Sequence, residues 1–290
     1  MKRHALGYAF IAPWLIGFVV FTAGPFVASI YLSFTRYNIV TDPVWVGLTN
    51  YKTLLWGDPL FYKSLAVTLK YAVVAVPLGI AAGVGLALLL NLEVRGISVY
   101  RTIFYLPSIV PVVATSVIFV WILNPQIGLV NGLLRHFNIV GPNWLGDHRW
   151  ALPSLIFMSL WGVGGSMIIY LAGLKDIPLE LYEAAMIDGA GALQRTRHIT
   201  LPMLTPVIFF NLVMGTIGAF QYFTQAYVMM NGTGGPNDST YFYALYLFNR
   251  AWRYMDMGYG SAMAWVLFVI IMLVTGLIFR SHRRWVHYGG

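Results

Sequence analysis

Three amides and a phenol, Asn211, Gln221, Gln225 and Tyr222, stand out in the largely apolar stretch between residues 204 and 229. On a helix turning about 100° per residue they fall, with Gly218, on one face. An amide both donates and accepts hydrogen bonds, so these residues suit hydroxyl groups, while the flat ring of Tyr222 suits the C–H faces of a polyhydroxylated ring. Trp121 and Trp161, in neighbouring apolar stretches, offer two further aromatic platforms. These six are the candidate residues of a solute pathway. The same amides are also able to bond one helix to another, for about 0.6 kcal/mol each in a membrane.

Residues that could do covalent chemistry are placed otherwise. There is no cysteine, which excludes disulfides and thiolate metal sites. Every acidic residue and every histidine falls outside the long apolar runs, and no histidine pair has the spacing of a metal-binding helix face. No cofactor and no metal are expected in this chain. A chain driven by protons or sodium usually buries an ionisable group in its spans; here Lys70 lies just within the second run and reads as a lysine reaching the interface, and Arg280 only closes the last run. The phosphate cradle Gly-x4-Gly-Lys-Ser/Thr is missing, and Gly165-Ser166 lacks the second glycine of a nucleophile elbow. Neither ATP hydrolysis nor acyl transfer is supported, so any driving energy must come from another polypeptide.

The elements that position these residues are apolar helices. Of the 290 residues 59% are hydrophobic and only 10% charged, against roughly 25% charged in soluble proteins. Six runs reach the roughly 20 residues a bilayer requires, at 8–34, 66–91, 103–124, 152–174, 204–229 and 260–280. The first follows Lys2, Arg3 and His4 as a signal peptide would, but its apolar run is about twice the usual 7 to 15 residues, so it reads as an uncleaved anchor. Arg95, Arg101, Lys175, Arg195, Arg197, Arg280, Arg283 and Arg284 then join Lys2 and Arg3 on one side. This predicts an all-α, polytopic membrane protein with six transmembrane helices and both termini cytoplasmic. The net charge of +8 sits in short clusters beside apolar runs, which fits membrane topology and not nucleic acid. Tyr8, Tyr31, Tyr71, Tyr100 and Trp150 fall near span ends and read as headgroup anchors. Gly79 and Gly83 read as a close-packing pair, and Gly162, Gly164 and Gly165 as packing residues or a kink.

One connecting segment stands out. Asp176 and Pro178 are helix-start signals, Glu180 and Glu183 favour the positive end of the helix dipole, and Gly189 and Gly191 break the helix. A second short helix over 192–199 leads to Thr200-Leu201-Pro202, where the proline is expected to turn the chain into the fifth span. A lipid-surface helix would favour Lys and Arg on its polar face, whereas the stretch from Asp176 to Asp188 carries only acids.

Here the sequence resembles a known family. Glu183-Ala184-Ala185, three residues, Gly189, nine residues, Ile199, one residue, then Leu201-Pro202 is similar to the signature loop of binding-protein-dependent ABC importer permeases. The resemblance implies an importer-permease core at 66–280 in a single permease domain of 1–290, with an anchor helix at 8–34 and a cytoplasmic coupling loop at 175–202. It also implies that Glu183, Ala184, Ala185, Asp188, Gly189, Ile199, Leu201 and Pro202 form the coupling helix and its support, which dock on an ATPase. The implied partners are a second permease subunit, an ATPase dimer that holds ATP and Mg, a periplasmic or lipid-anchored solute-binding protein, and the lipid bilayer of a bacterial plasma membrane. Three softer segments, Ala12-Pro13 with Gly24-Pro25, Val46 to Tyr51 with Asp58-Pro59, and Thr233 to Pro236 with Met257 to Ala262, resemble the carbohydrate-uptake branch, glycerol-phosphate and multiple-sugar members above all. The alternatives are an amino-acid or peptide importer permease, and a membrane enzyme acting on lipid-linked sugars, for which Lys70 is the one titratable candidate in a span.

Overall fold

The computed structural model describes residues 2–92 and 94–287, with side chains from residue 10 onward. The side chains of Lys2, Arg3, His4 and Tyr8 lie outside the described residues. The chain is mostly helical: Lys2–Phe18 (α1), Gly24–Ser33 (α2), a hairpin of Thr35–Arg36 (β1) and Val44–Trp45 (β2), Thr49–Lys52 (α3), Pro59–Leu90 (α4), Ile97–Ile109 (α5), Val112–Ile122 (α6), Leu129–His136 (α7), Ala151–Ser159 (α8), Gly164–Lys175 (α9), Leu179–Ile187 (α10), Ala192–Arg195 (α11), Leu201–Phe220 (α12), Thr224–Met229 (α13), Tyr243–Phe248 (α14) and Met257–His282 (α15).

Among the described residues, four helical runs are long and apolar enough to cross a membrane: Phe10–Ser33, Pro59–Leu90, Ala192–Phe220 and Met257–His282. The expected third and fourth spans are not straight. The third is broken into α5 and α6, which meet at 97°. Pro111 has no N–H to continue the ladder and disfavours a helical residue before it, and Val110 is accordingly extended at ψ 132°. The fourth bends by 48° between α8 and α9, across a tight turn at Leu160–Gly162. The expected fifth span also differs, because its helix stops at Phe220 and α13 restarts at Thr224.

Pro202 does not redirect the chain. The run Ala192–Phe220 continues through it because a wide π-turn at Thr196–Thr200 precedes α12, and Pro202 falls in the first turn of that helix, where a missing N–H costs little. The same device, a π-turn at Val19–Ala23, carries the first span past Pro25.

The structure divides into two compact units. One comprises the chain up to Phe61 together with Tyr246–Ile270. Within it, β1 pairs antiparallel with β2, Thr35 opposite Trp45. Asn50 Nδ2 donates to Ser33 O and Thr35 O, 2.9 Å each, and Gly258 N donates to Tyr37 O at 3.1 Å. A Cβ at Gly258 would lie 2.1 Å from Thr35 O, so only glycine allows this approach. Among the described residues, Asp58 is the unit's buried charge. Its Oδ1 caps α4 by accepting from Leu60 N and Phe61 N at 3.0 and 3.3 Å, and its Oδ2 accepts from the hydroxyls of Tyr246 and Tyr259. The Arg250 guanidinium lies 3.7 Å from Oδ2 and over both tyrosine rings. Burial first, then the bond to Asp58, raises the Tyr246 pKa, so this phenol remains a donor at neutral pH.

The other unit comprises Tyr62–Leu245 and the chain from Ile271. Its core joins Val84, Ala87 and Leu90 of α4, Met167, Tyr170, Leu171 and Leu174 of α9, and Leu204 of α12. Small residues set the spacing: a Cβ at Gly83 would lie 2.8 Å from the Tyr170 ring, at Gly173 2.7 Å from Val207, and at Gly164 2.0 Å from Phe104 O. Gly83 is thus the packing residue of the expected pair, whereas Gly79 has nothing within 4 Å and faces a cavity. Gly164 both packs closely and sits at the bend.

Candidate functional site

A cavity of about 370 Å³ opens between α4, α8, α9, α12 and α13. Asn211 reaches it from α12, Tyr71 and Gly79 from α4, Ser159 and Tyr170 from α8 and α9, and Tyr222 and Gln225 from the segment beyond Phe220. A second cavity of about 200 Å³ adds Ser108, Thr115 and Trp161, and shares Ser159, Gly162, Tyr222 and Gln225 with the first. Tyr222 and Gln225 therefore stand where the two meet. No charged side chain lines either cavity among the described residues.

The break after Phe220 decides which of the expected residues come together. Gln221 N bonds back to Ile217 O and Gly218 O, closing the helix, and Phe223 then leaves helical geometry at φ −134°. Asn211, Gly218, Tyr222 and Gln225 still face the larger cavity, but Gln221 points away and is exposed. Their grouping thus comes from a turn and not from one helical face. Trp161 lines the second cavity and meets Phe119 edge-on at 5.9 Å. Trp121 is 71% exposed and lines neither.

Tyr71 corrects its expectation as a headgroup anchor. It is buried, with its ring 4.4 Å from that of Tyr222 and 5.2 Å from that of Phe242. Reading polarity along one helix missed it, together with Ser159, Ser108, Thr115 and Tyr170, because these five polar residues lie on five different elements. The cavity's chemistry is that of hydroxyls and amides. Asn211 Nδ2 donates to Val207 O at 2.9 Å, Ser159 Oγ to Ile156 O and Ser108 Oγ to Tyr105 O. Each spends a donor on its own helix and keeps acceptor capacity, while the buried Tyr170 hydroxyl has no partner. Such a lining offers hydrogen-bonding groups and flat aromatic faces and no charged side chain among the described residues.

The second candidate region is the α10–α11 segment. Its helix–glycine turn–helix layout is the expected one, although Pro178 precedes the first turn and Asp176 closes α9. Gly189 has φ +79°, a conformation that disfavours side chains. It allows Asp188 N, Gly189 N and Ala190 N to bond back to Ala184 O, Met186 O and Ala185 O and so end the helix. Glu183, Ala184 and Asp188 are exposed, whereas Ile199 and Leu201 pack on the core under α4 and α9. Two features were missed in the sequence. Ile187 and Leu193, 86% and 82% exposed, make the tip apolar. Tyr182 OH shares a 2.9 Å hydrogen bond with the buried Thr200 Oγ1, tying α10 to the base of α12.

Bent apolar helices surround an uncharged polar cavity, and a short helix is fastened to one of its walls, the architecture of a polytopic helical membrane protein. The family of binding-protein-dependent transport system inner membrane components matches residues 75–287, and the chain belongs to it. The "Probable ABC transporter permease protein YesP" of Bacillus subtilis (strain 168) is 48% identical over 99% of this chain and 93% of its own length. The "Lactose transport system permease protein LacF" of Rhizobium radiobacter is 35% identical over 98% of this chain and 97% of its own. A solved chain of a bacterial ABC transporter involved in the import of the acidic polysaccharide alginate superposes with a TM-score of 0.82 at 25% identity, covering 98% of this chain and 96% of that one. As an inner membrane component with several apolar helices, the protein is a multi-pass membrane protein.

Proposed function

We propose that this chain is the permease subunit of an ATP-driven importer that carries a carbohydrate into the cytoplasm of a bacterial cell. The observation that carries the solute class is the pair of neighbouring cavities, whose hydroxyls, amides and aromatic rings offer nothing to fix the opposite charges of an amino acid. Relatives named for lactose and alginate transport support the same reading over an amino-acid or peptide importer. Asn211, Tyr222, Gln225 and Trp161 would touch the solute.

In this reading the chain acts as one permease domain that crosses the plasma membrane six times, each bent pair counting as one span, with both termini in the cytoplasm. A second permease, an ATPase dimer holding ATP and Mg, and a solute-binding protein complete the assembly. The exposed face of α10, with Glu183, Ala184, Ala185, Asp188 and Gly189, docks on the ATPase. Its displacement passes through the Tyr182–Thr200 bond and the packing of Ile199, Leu201 and Pro202 to α12, whose far half walls the cavity.

The test is uptake by the assembled transporter carrying Gly189→Asp or Glu183→Lys. Both variants should insert normally and lose transport. Undiminished uptake by either would overturn the docking role. Growth on a panel of sugars and amino acids decides the solute class independently of that result.

A further inference from the structure

We infer that the segment between α6 and α8 is a membrane-surface anchor whose helix α7 lies in the headgroup region of the leaflet that the ends of α6 and α8 reach. At about 100° per residue, Leu129, Leu133 and Phe137 share one side of α7, and Asn131 lies opposite. The three are 63%, 57% and 70% exposed, whereas Asn131 is 3% exposed. Ile139 and Val140 extend the exposed apolar surface.

The opposite side is spent on fixing the loop. Asn131 Nδ2 donates to Pro125 O and Pro142 O, 3.1 Å each, and its Oδ1 accepts from Trp144 Nε1 at 2.7 Å. Arg135 donates to Asn131 O and Gln126 O. A Cβ at Gly141 would fall 2.0 Å from Asn131 Oδ1, so the returning strand of the loop crosses directly against the amide. Held from both sides in this way, α7 cannot roll its apolar side inward.

Continuity with the bilayer names the occupant. The loop leaves one bent helix pair, apolar and long enough to cross a membrane when the pair counts as one span, at Ile122, and enters a second such pair at Ala151. The part-exposed Trp150 stands at that re-entry, 5.1 Å from Trp144 between ring centroids, and tryptophans at span ends mark the water–lipid boundary. Between Leu123 and Gly146 the sequence has no acidic residue, only Arg135 and His136 as titratable groups, so lipid phosphates meet no like charge on α7; the segment's one acid, Asp147, comes after α7 and pairs with His148 at 3.4 Å. A short helix with an apolar side and no acids is built to lie on lipid. The inference goes beyond the transport reading and depends neither on the solute nor on which way the chain is inserted.

The absence of cysteine makes the test direct. Leu133→Cys and Phe137→Cys, each labelled with an environment-sensitive dye, are placed in the complete transporter in phosphatidylcholine nanodiscs. Lipids brominated near the top of the acyl chain should quench both labels strongly, and aqueous iodide should quench them several-fold less than free dye. Iodide quenching equal to that of free dye, without bromolipid quenching, would overturn the inference. So would protection that arises only when the solute-binding protein or the second permease is added, because the face would then meet protein and not lipid.

Discussion

Replacing Asp58 by alanine should destabilise the protein far more than the loss of one loop residue suggests. The carboxylate is 5% exposed and serves five groups at once. Loss of the α4 cap costs about 1 kcal/mol. The hydroxyls of Tyr246 and Tyr259 each lose a charged acceptor in a buried setting, at about 1–2 kcal/mol apiece. Arg250 is 33% exposed, so water replaces its lost partner and that contribution is small. The sum, about 3–5 kcal/mol, matches the cost of breaking a buried ion pair from one side. At roughly 2–4 °C per kcal/mol for a chain of this order of size, the melting temperature should fall by on the order of 10 °C. Asp58→Asn keeps the cap acceptor and should lose about half as much. Thermal unfolding of the purified chain in one detergent, monitored by tryptophan fluorescence, measures both. A melting point for Asp58→Ala within about 2 °C of the parent would refute the claim that this carboxylate holds the unit together.

Other outcomes follow from the same geometry. Gly83→Val drives a branched side chain into Tyr170 and should cost about 1–3 kcal/mol, whereas Gly79→Ala should leave stability unchanged while narrowing the cavity, read by thermal melting and solute uptake respectively. Tyr182→Phe keeps the ring but removes the bond to Thr200; ATP hydrolysis by the assembly should persist while solute carried per ATP drops several-fold, and unchanged coupling would exclude Tyr182 as the link. Tyr222→Ala should raise the solute concentration for half-maximal uptake about tenfold without changing assembly, as expected for loss of roughly 1.4 kcal/mol of contact. Because the folded-state pKa of Tyr246 is raised by burial and by Asp58, its stabilising contribution is complete below the unfolded value of 10.0 and fades as pH rises above it. Melting curves at pH 8 and pH 11 should show this loss, and it should be smaller in Tyr246→Phe.

Much of the site was legible in the residues, and the remainder was hidden for definite reasons. Asn211, Tyr222 and Gln225 stood out because polar groups are rare in apolar runs, and they do meet at one cavity. Gln221 stood out equally and points elsewhere, because one helical period was extended through a helix that ends at Phe220. Tyr71 looked like an interface residue by its position near a span end, yet ring packing against Tyr222 and Phe242 carries it inward. The glycine-ended helix over 179–187 could be read from Gly189, whereas Tyr182 showed its partner only once α12 lay beneath it.

The sequence alone determined the solvent this chain needs, the approximate position of its apolar runs, and the spacing of the α10–Gly189–α11 segment. These depend on local composition and period, which a linear chain carries in full. Only the tertiary structure decided where the spans bend, which polar residues share a cavity, and that Asp58 gathers Tyr246, Arg250 and Tyr259 from nearly two hundred positions away. Those outcomes depend on which faces of bent helices meet, and the angle of a bend at Pro111 or Gly162 is set by the surfaces packed around it as much as by the residue that permits it.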